Sequence, residues 1–292
     1  MSSLAIHEQP VILFAEECER PANREESEIS VLNVRLALAD MMLVADGSGS
    51  NGGGAAASRM VVEHFYAHLA GLPPDYPVDN AIRAAAARAN ASILAAASTP
   101  GSQLQGARVS MVVALLQQEG EITYAWIGHI GDSRAYLQRA GRLHRLTVDH
   151  TAVQEMLDRK MITPFEALHH PDAKVLSRSL GQQLAVDIEV EQVPLAVGDT
   201  LLLCSDSLWR SVPEAEIQSA ADSETADSAA HSLLALALAA DGKDSVGIEL
   251  ARMILPPDTR PQRAHSPFAL DVVITVFLIA FAGVAALILY LM

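Results

Sequence analysis

Cysteine is scarce: Cys18 and Cys204 are the only two in 292 residues. That excludes a disulfide framework and fits a reducing compartment. No C-x-x-C and no H-E-x-x-H occurs, and His144, His150, His169 and His170 form no ligand pattern, so a zinc site has no support. Positive charge is also short. Lys and Arg number 20 against 35 Asp and Glu, a formal net charge of −15. This argues against a nucleic-acid surface and fits acidic patches, or carboxylates gathered around cations. The N-terminus has no basic start, and its short apolar run is flanked by acids, unlike a signal peptide. The Gly-rich run GSGSNGGG, 47–54, lacks the Lys-Ser/Thr of a P-loop, and Asp46 before it would repel a dinucleotide pyrophosphate. Cys18 to Arg24 formally matches C-x5-R, but Glu16, Glu17 and Glu19 oppose a thiolate and Pro21 removes an N–H, so thiol-based phosphoryl chemistry is excluded.

Hydrophobic residues, by contrast, make up half the chain, enough for a substantial core. Strands are predicted over 11–16, 31–38, 41–46, 108–118, 121–131, 133–147 (two, around an A-G-R turn), 199–207 and 245–253. Helices are predicted over 54–71, 79–97, 213–221 and 225–240, with short ones over 150–160, 164–169 and 174–179. Strands, a helical pair, strands in series, then helices and closing strands describe an α+β layered domain. It occupies 1–254, followed by a Pro-rich linker over 255–271. From 272 to 292 no residue is charged. At about 1.5 Å per residue this run spans a hydrocarbon core of about 30 Å, and it reads as one C-terminal transmembrane helix. Over 251–267, Arg252, Arg260 and Arg263 stand against one acid, Asp258, which puts the domain on the cytoplasmic face of the membrane.

Four aspartates stand at strand ends or bends. VILFAE aside, the apolar strands MMLVAD and LLLCSD end at Asp46 and Asp206. Asp244 immediately precedes a strand, and Asp132 sits at a bend between two. Each alone reads as a cap or turn. Together they suggest an oxygen-ligand site for Mg²⁺ or Mn²⁺, with glycines letting the chain turn tightly beside the ion.

The motifs, in order, resemble the metal-dependent PPM family, the type 2C serine/threonine protein phosphatases, in bacterial form. VADGSGSNGGGAAAS, IGDSRAYL, RLTVDHT, MITPFEALHHPDAKVLSRSLG, PLAVGDTLLLCSDSLW and DGKDSVGIELAR carry the resemblance across residues 11–253. It implies a four-layer α-β-β-α sandwich, two antiparallel sheets flanked by helices. It further implies two Mn²⁺ or Mg²⁺ ions bridged by a water or hydroxide that hydrolyses phosphoserine and phosphothreonine on proteins. Carried onto this chain, Asp46 bridges both ions, the Gly47 carbonyl adds a ligand, and Asp206 and Asp244 complete the pair. Asp132 resembles the ligand of a third, looser ion. Arg20 resembles the phosphate-binding arginine, and Glu25 the acid that follows it. The implied partners are phosphoproteins, a cognate kinase among them.

The chain departs from the pattern at Arg24, at Glu25 (with Glu26 one residue on), at Gly106-Ala107-Arg108, at Ser207, and at Ser245 and Gly247. Losses around a metal ligand commonly cost roughly 10–100-fold in affinity or activity. The alternative reading is therefore a catalytically weak module that binds phosphoproteins or regulates a membrane-associated complex.

Overall fold

The computed structural model describes residues 10–20, 26–167, 170–240 and 244–255. Glu25 and Arg24, His169, and the apolar run 272–292 lie outside the described residues. Among the described residues, no helix is long and apolar enough to cross a membrane.

Chain order is β1 (Val11–Glu19), β2 (Ile29–Arg35), β3 (Asp40–Ser48), α1 (Gly53–Leu69), α2 (Val78–Ala97), β4 (Arg108–Glu119), β5 (Ile122–Ile130), β6 (Arg134–Arg139) and β7 (Arg142–Arg145). There follow α3 (Ala152–Asp158), α4 (Pro164–Ala167), β8 (Glu189–Leu195), β9 (Thr200–Cys204), α5 (Asp206–Ser211), α6 (Glu214–Ala221), α7 (Ala226–Ala240) and β10 (Val246–Ile254). Two five-stranded sheets result, in the orders β1-β10-β9-β6-β7 and β2-β3-β4-β5-β8. Every named pairing is antiparallel.

The central strands are apolar on both faces because both faces are covered. In β3, Met41, Leu43 and Ala45 pack with α1 and α2, while Met42 and Val44 join the core between the sheets. In β9, Leu202 and Cys204 face α5–α7, and Leu201 and Leu203 face the other sheet. Three apolar clusters thus separate four layers: α1–α2, sheet, sheet, α5–α7. The expected sandwich of two antiparallel sheets flanked by helices is what forms.

Two local expectations need correction, and one strand was not expected. Residues 174–179 are not helical. The extended chain there bridges Leu176 to Thr151 and Leu180 to Val109, so tertiary pairing takes its backbone groups. Strand β8 carries too weak an alternation, with Pro194 inside it, to be read from sequence. It lies at a sheet edge, where a missing N–H is tolerated. Asp206 and Ser207, read as strand, instead begin α5.

Candidate metal centre and active site

The carboxylates gather where strands of both sheets end. Asp46 continues the Met42–Val44 row of β3 that faces the opposite sheet. Asp132 lies on the crossing from β5, in one sheet, to β6, in the other. Asp206 leaves β9 and opens α5, and Asp244 stands two residues before β10, the neighbour of β9. All four line one cavity of about 360 Å³, together with Gly47, Glu28, Ser48, Arg108, Ser110, Lys174, Val175, Leu176 and Ser245.

Their electrostatics are those of crowded like charges. Burial raises the Asp46 carboxyl well above the ordinary carboxylate range, and Asp206, Asp132 and Asp244 raise it further. Burial and Asp206 likewise push Asp132 up to about 6, against the lowering effect of Arg210. Cations already answer part of this charge. Arg210 donates through Nε to Asp206 Oδ2 at 2.8 Å and through Nη2 to Asp132 Oδ2 at 2.8 Å. Lys174 Nζ is 3.5 Å from Asp244 Oδ2.

The backbone around the acids is tightly determined. A Cβ on Gly47 would stand 2.0 Å from the Gly54 carbonyl oxygen, and one on Gly53 would stand 2.2 Å from that of Gln103. The glycine run therefore lets α1 start directly against the end of β3, which is what sets Asp46 in the cavity floor. Ser110, opposite Asp46 in the β3–β4 register, accepts from the Asp132 N–H at 2.9 Å and the Ser133 N–H at 2.7 Å. One residue of β4 thus ties the two aspartates into one frame. Ser205 and Gly247 exchange two hydrogen bonds, of 3.0 and 3.1 Å, linking the segments that carry Asp206 and Asp244. Ser207 adds a hydroxyl bridge, to Ser205 Oγ at 2.9 Å and to the Ser245 carbonyl. The Ser207 departure therefore strengthens the corner. At Gly247 a Cβ would meet Ile29 at 2.5 Å, so the other sheet fills the space a larger residue would need. Ser245 Oγ, by contrast, is buried with no partner among the described residues and orders nothing.

Arg20 is exposed, directly after β1, whose Glu19 pairs with Val246; it is not among the residues lining the cavity. Sequence reasoning missed Glu28, Arg108, Ser110, Lys174 and Arg210. Only Arg210 left a local signal, the i,i+4 spacing from Asp206 on one short helix. The C-x5-R reading fails in structure too. Burial raises the Cys18 thiol, as do Glu19, Glu16 and Glu249, while a bond to Ser27 lowers it less.

A second group of ligand types, His129, His150 and Glu189, lies apart from these acids. His150 Nδ1 accepts from the Gly131 N–H at 3.2 Å, so in the neutral ring Nε2 carries the proton and faces Glu189 Oε1 at 3.1 Å. Burial, His129 and Arg178 hold its pKa down to about 4, which keeps the ring neutral. With His129 bonded to the Val148 carbonyl, the pair fastens the 147–151 turn to the end of β5.

Residues 31–240 match the family model for protein phosphatase 2C. The chain belongs to the protein phosphatase 2C family. The serine/threonine protein phosphatase PstP of Mycobacterium tuberculosis is 33% identical over 247 residues, covering 84% of this chain and 45% of that protein. The chain thus matches less than half the length of this relative. The serine/threonine phosphatase stp of Listeria monocytogenes is 33% identical over 181 residues, 61% of this chain and 70% of the other. Among solved structures, the PstP catalytic domain in complex with two manganese ions superposes with a TM-score of 0.74 at 28% identity, over 84% of this chain and all of that one.

The residues present fit such ions. The cavity offers carboxylate and carbonyl oxygens without thiolate or imidazole, the donor set preferred by Mg²⁺ and Mn²⁺. Burial first, and then the neighbouring aspartates, raise the Asp46 and Asp132 carboxyls, so a cation among them would favour their charged form. Members of this family use Mn²⁺ or Mg²⁺, and Asp46, Gly47, Asp206 and Asp244 line the cavity that would hold them here.

Proposed function

We propose that this chain is a metal-dependent phosphatase that removes phosphate from serine and threonine of proteins, at the cytoplasmic face of a membrane. The observation that carries the catalytic part is the convergence of Asp46, Asp206, Asp244 and Gly47 on one open cavity in a chain of this family. Divalent cations, when bound, supply an ionised water at neutral pH and neutralise charge on the phosphoryl oxygens. The chain's own residues do the rest. Asp46, Asp206 and Asp244 fix where the ions sit, and Ser110, Ser205 and Ser207 fix those aspartates. Arg108 and Lys174, the cations lining the cavity, attract and orient the phosphate dianion. Neither a nucleophilic side chain nor a covalent intermediate is required. The membrane part rests on the uncharged run 272–292 and the arginines before it. It makes phosphoproteins near the membrane, cognate kinases among them, the natural substrates.

The weak-activity reading has one structural observation in its favour, the Ser245 hydroxyl beside Asp244, which has no partner among the described residues. Hydrolysis of a phosphothreonine peptide by the purified chain separates the two readings. Turnover that needs Mn²⁺, stops with EDTA and vanishes in Asp46→Ala supports the enzyme. Peptide binding without turnover would establish the binding module instead. Deleting 268–292 should move the chain to the soluble fraction, and continued membrane association would refute the anchor.

A further inference from the structure

We propose that Arg210 is a resident cation that takes the place of a third metal ion, so that this centre is a two-metal site in which Asp132 is not a metal ligand. The inference rests on the proposed metal-dependent function. Asp132, expected from the resemblance to hold a third ion, instead holds a guanidinium. Arg210 bridges Asp132 and Asp206 at 2.8 Å each, and its Nη2 also donates to the Ala173 carbonyl at 3.0 Å. The side chains involved are enclosed, Asp132 being 8% exposed and Arg210 19%.

The guanidinium is held as a fixed part. It lies 4.2 Å from the centroid of the Trp209 ring, whose Nε1–H donates to the Asp132 carbonyl at 2.9 Å. Arg134 stacks on the same ring at 3.3 Å and is itself clamped by Asp149 through bonds of 2.9 and 2.6 Å. Trp209 therefore positions Arg210 on one side and Asp132 on the other, so little side-chain entropy remains to be lost in holding the bridge. A divalent ion at Asp132 would have to displace this guanidinium or sit against its charge.

The arrangement has a chemical consequence. An arginine keeps its proton at any physiological pH, and no chelator removes it. The positive charge beside Asp132 is therefore constant, whereas a loosely bound third ion would make it depend on metal concentration. Asp206 gives one oxygen, Oδ2, to Arg210 and also lies within hydrogen-bonding contact of Asp46, so one carboxylate links the fixed cation to the metal pair.

Calorimetric titration of the purified full-length chain with Mn²⁺ tests this by stoichiometry, independently of turnover. The wild type should bind two ions, and Asp132→Asn should also bind two, with affinity changed less than the roughly 10–100-fold seen when a ligand's support is lost. Arg210→Gln should gain a third, weaker ion, and Arg210→Gln with Asp132→Asn should lose it again. Three ions in the wild type, or one fewer in Asp132→Asn, would overturn the proposal even if Arg210→Gln does not fold. A folded Arg210→Gln that still binds two would overturn it as well. No Mn²⁺ bound to the wild type would overturn the metal-dependent function itself, and the inference with it.

Discussion

At Asp46, the proposed metal-binding role and stability pull in opposite directions. The folded chain holds a proton there more tightly than the unfolded chain, because burial and three neighbouring aspartates disfavour the charge. A raised carboxyl makes stability fullest in acid and erodes it as pH rises toward neutrality. Asp46→Asn should therefore raise the melting temperature of the EDTA-treated chain at pH about 8 and flatten its pH dependence. In the same variant, Mn²⁺-dependent turnover should fall by more than the roughly 100-fold typical of losing a ligand's support. A metal-free variant no more stable than wild type would contradict the electrostatic reading. Gly47→Ala tests the backbone instead. Its Cβ would be driven into the Gly54 carbonyl, so denaturant unfolding should show a loss of about 1–3 kcal/mol. Mn²⁺ affinity should fall with it, since β3 and α1 must part.

Between elements, the least expected feature is a polar patch in the layer where the sheets meet. Glu249 of β10 is fully buried, near Asn33 of β2 and Glu16 of β1. Burial, then Glu16, push its carboxyl from 4.5 to about 9. Its effect on stability is absent below about pH 4.5 and becomes a growing cost as pH rises to about 9, because the folded state retains the proton there. Glu249→Gln keeps a donor toward Glu16 and removes the titration. It should stabilise the chain at pH about 8 by about 1–3 kcal/mol and leave it little changed at pH about 4.5. An equal change at both pH values would show that packing, not protonation, is responsible. The strands themselves were legible. β3, β4, β9 and β10 are apolar runs bounded by turn residues, and α1, α2, α6 and α7 read as helices. β8 was not, because an edge strand buries too little to need a regular apolar pattern. The 174–179 segment misled because its helical composition is overruled by the pairing of Leu176 with Thr151 and of Leu180, just after it, with Val109.

For the molecule as a whole, the proposed metal ions would couple the two sheets. Asp46 belongs to one sheet, and Asp206 and Asp244 flank strands of the other, so ions held among them bind only the assembled sandwich. Saturating Mn²⁺ at about 100 times its dissociation constant should add about 2.7 kcal/mol to stability, seen as a rise in melting temperature that EDTA reverses. A melting temperature indifferent to Mn²⁺ would count against a preformed site. The amino-acid sequence by itself determined the layers and the acids. Burial on both faces writes itself into continuous apolar runs, and each aspartate of the cavity stands at the end or edge of such a run, where a local pattern reveals it. Tertiary structure alone decided which charges meet. Arg210 and Asp132 lie 78 positions apart, and Ser110 and Asp132 lie 22 apart. Glu28 reaches the cavity from a segment with no motif of its own, and Lys174 from a position that the 161–181 motif does not mark. Those partnerships arise where strand ends from two sheets converge, and contacts between chain-distant residues leave no periodicity along the chain to read.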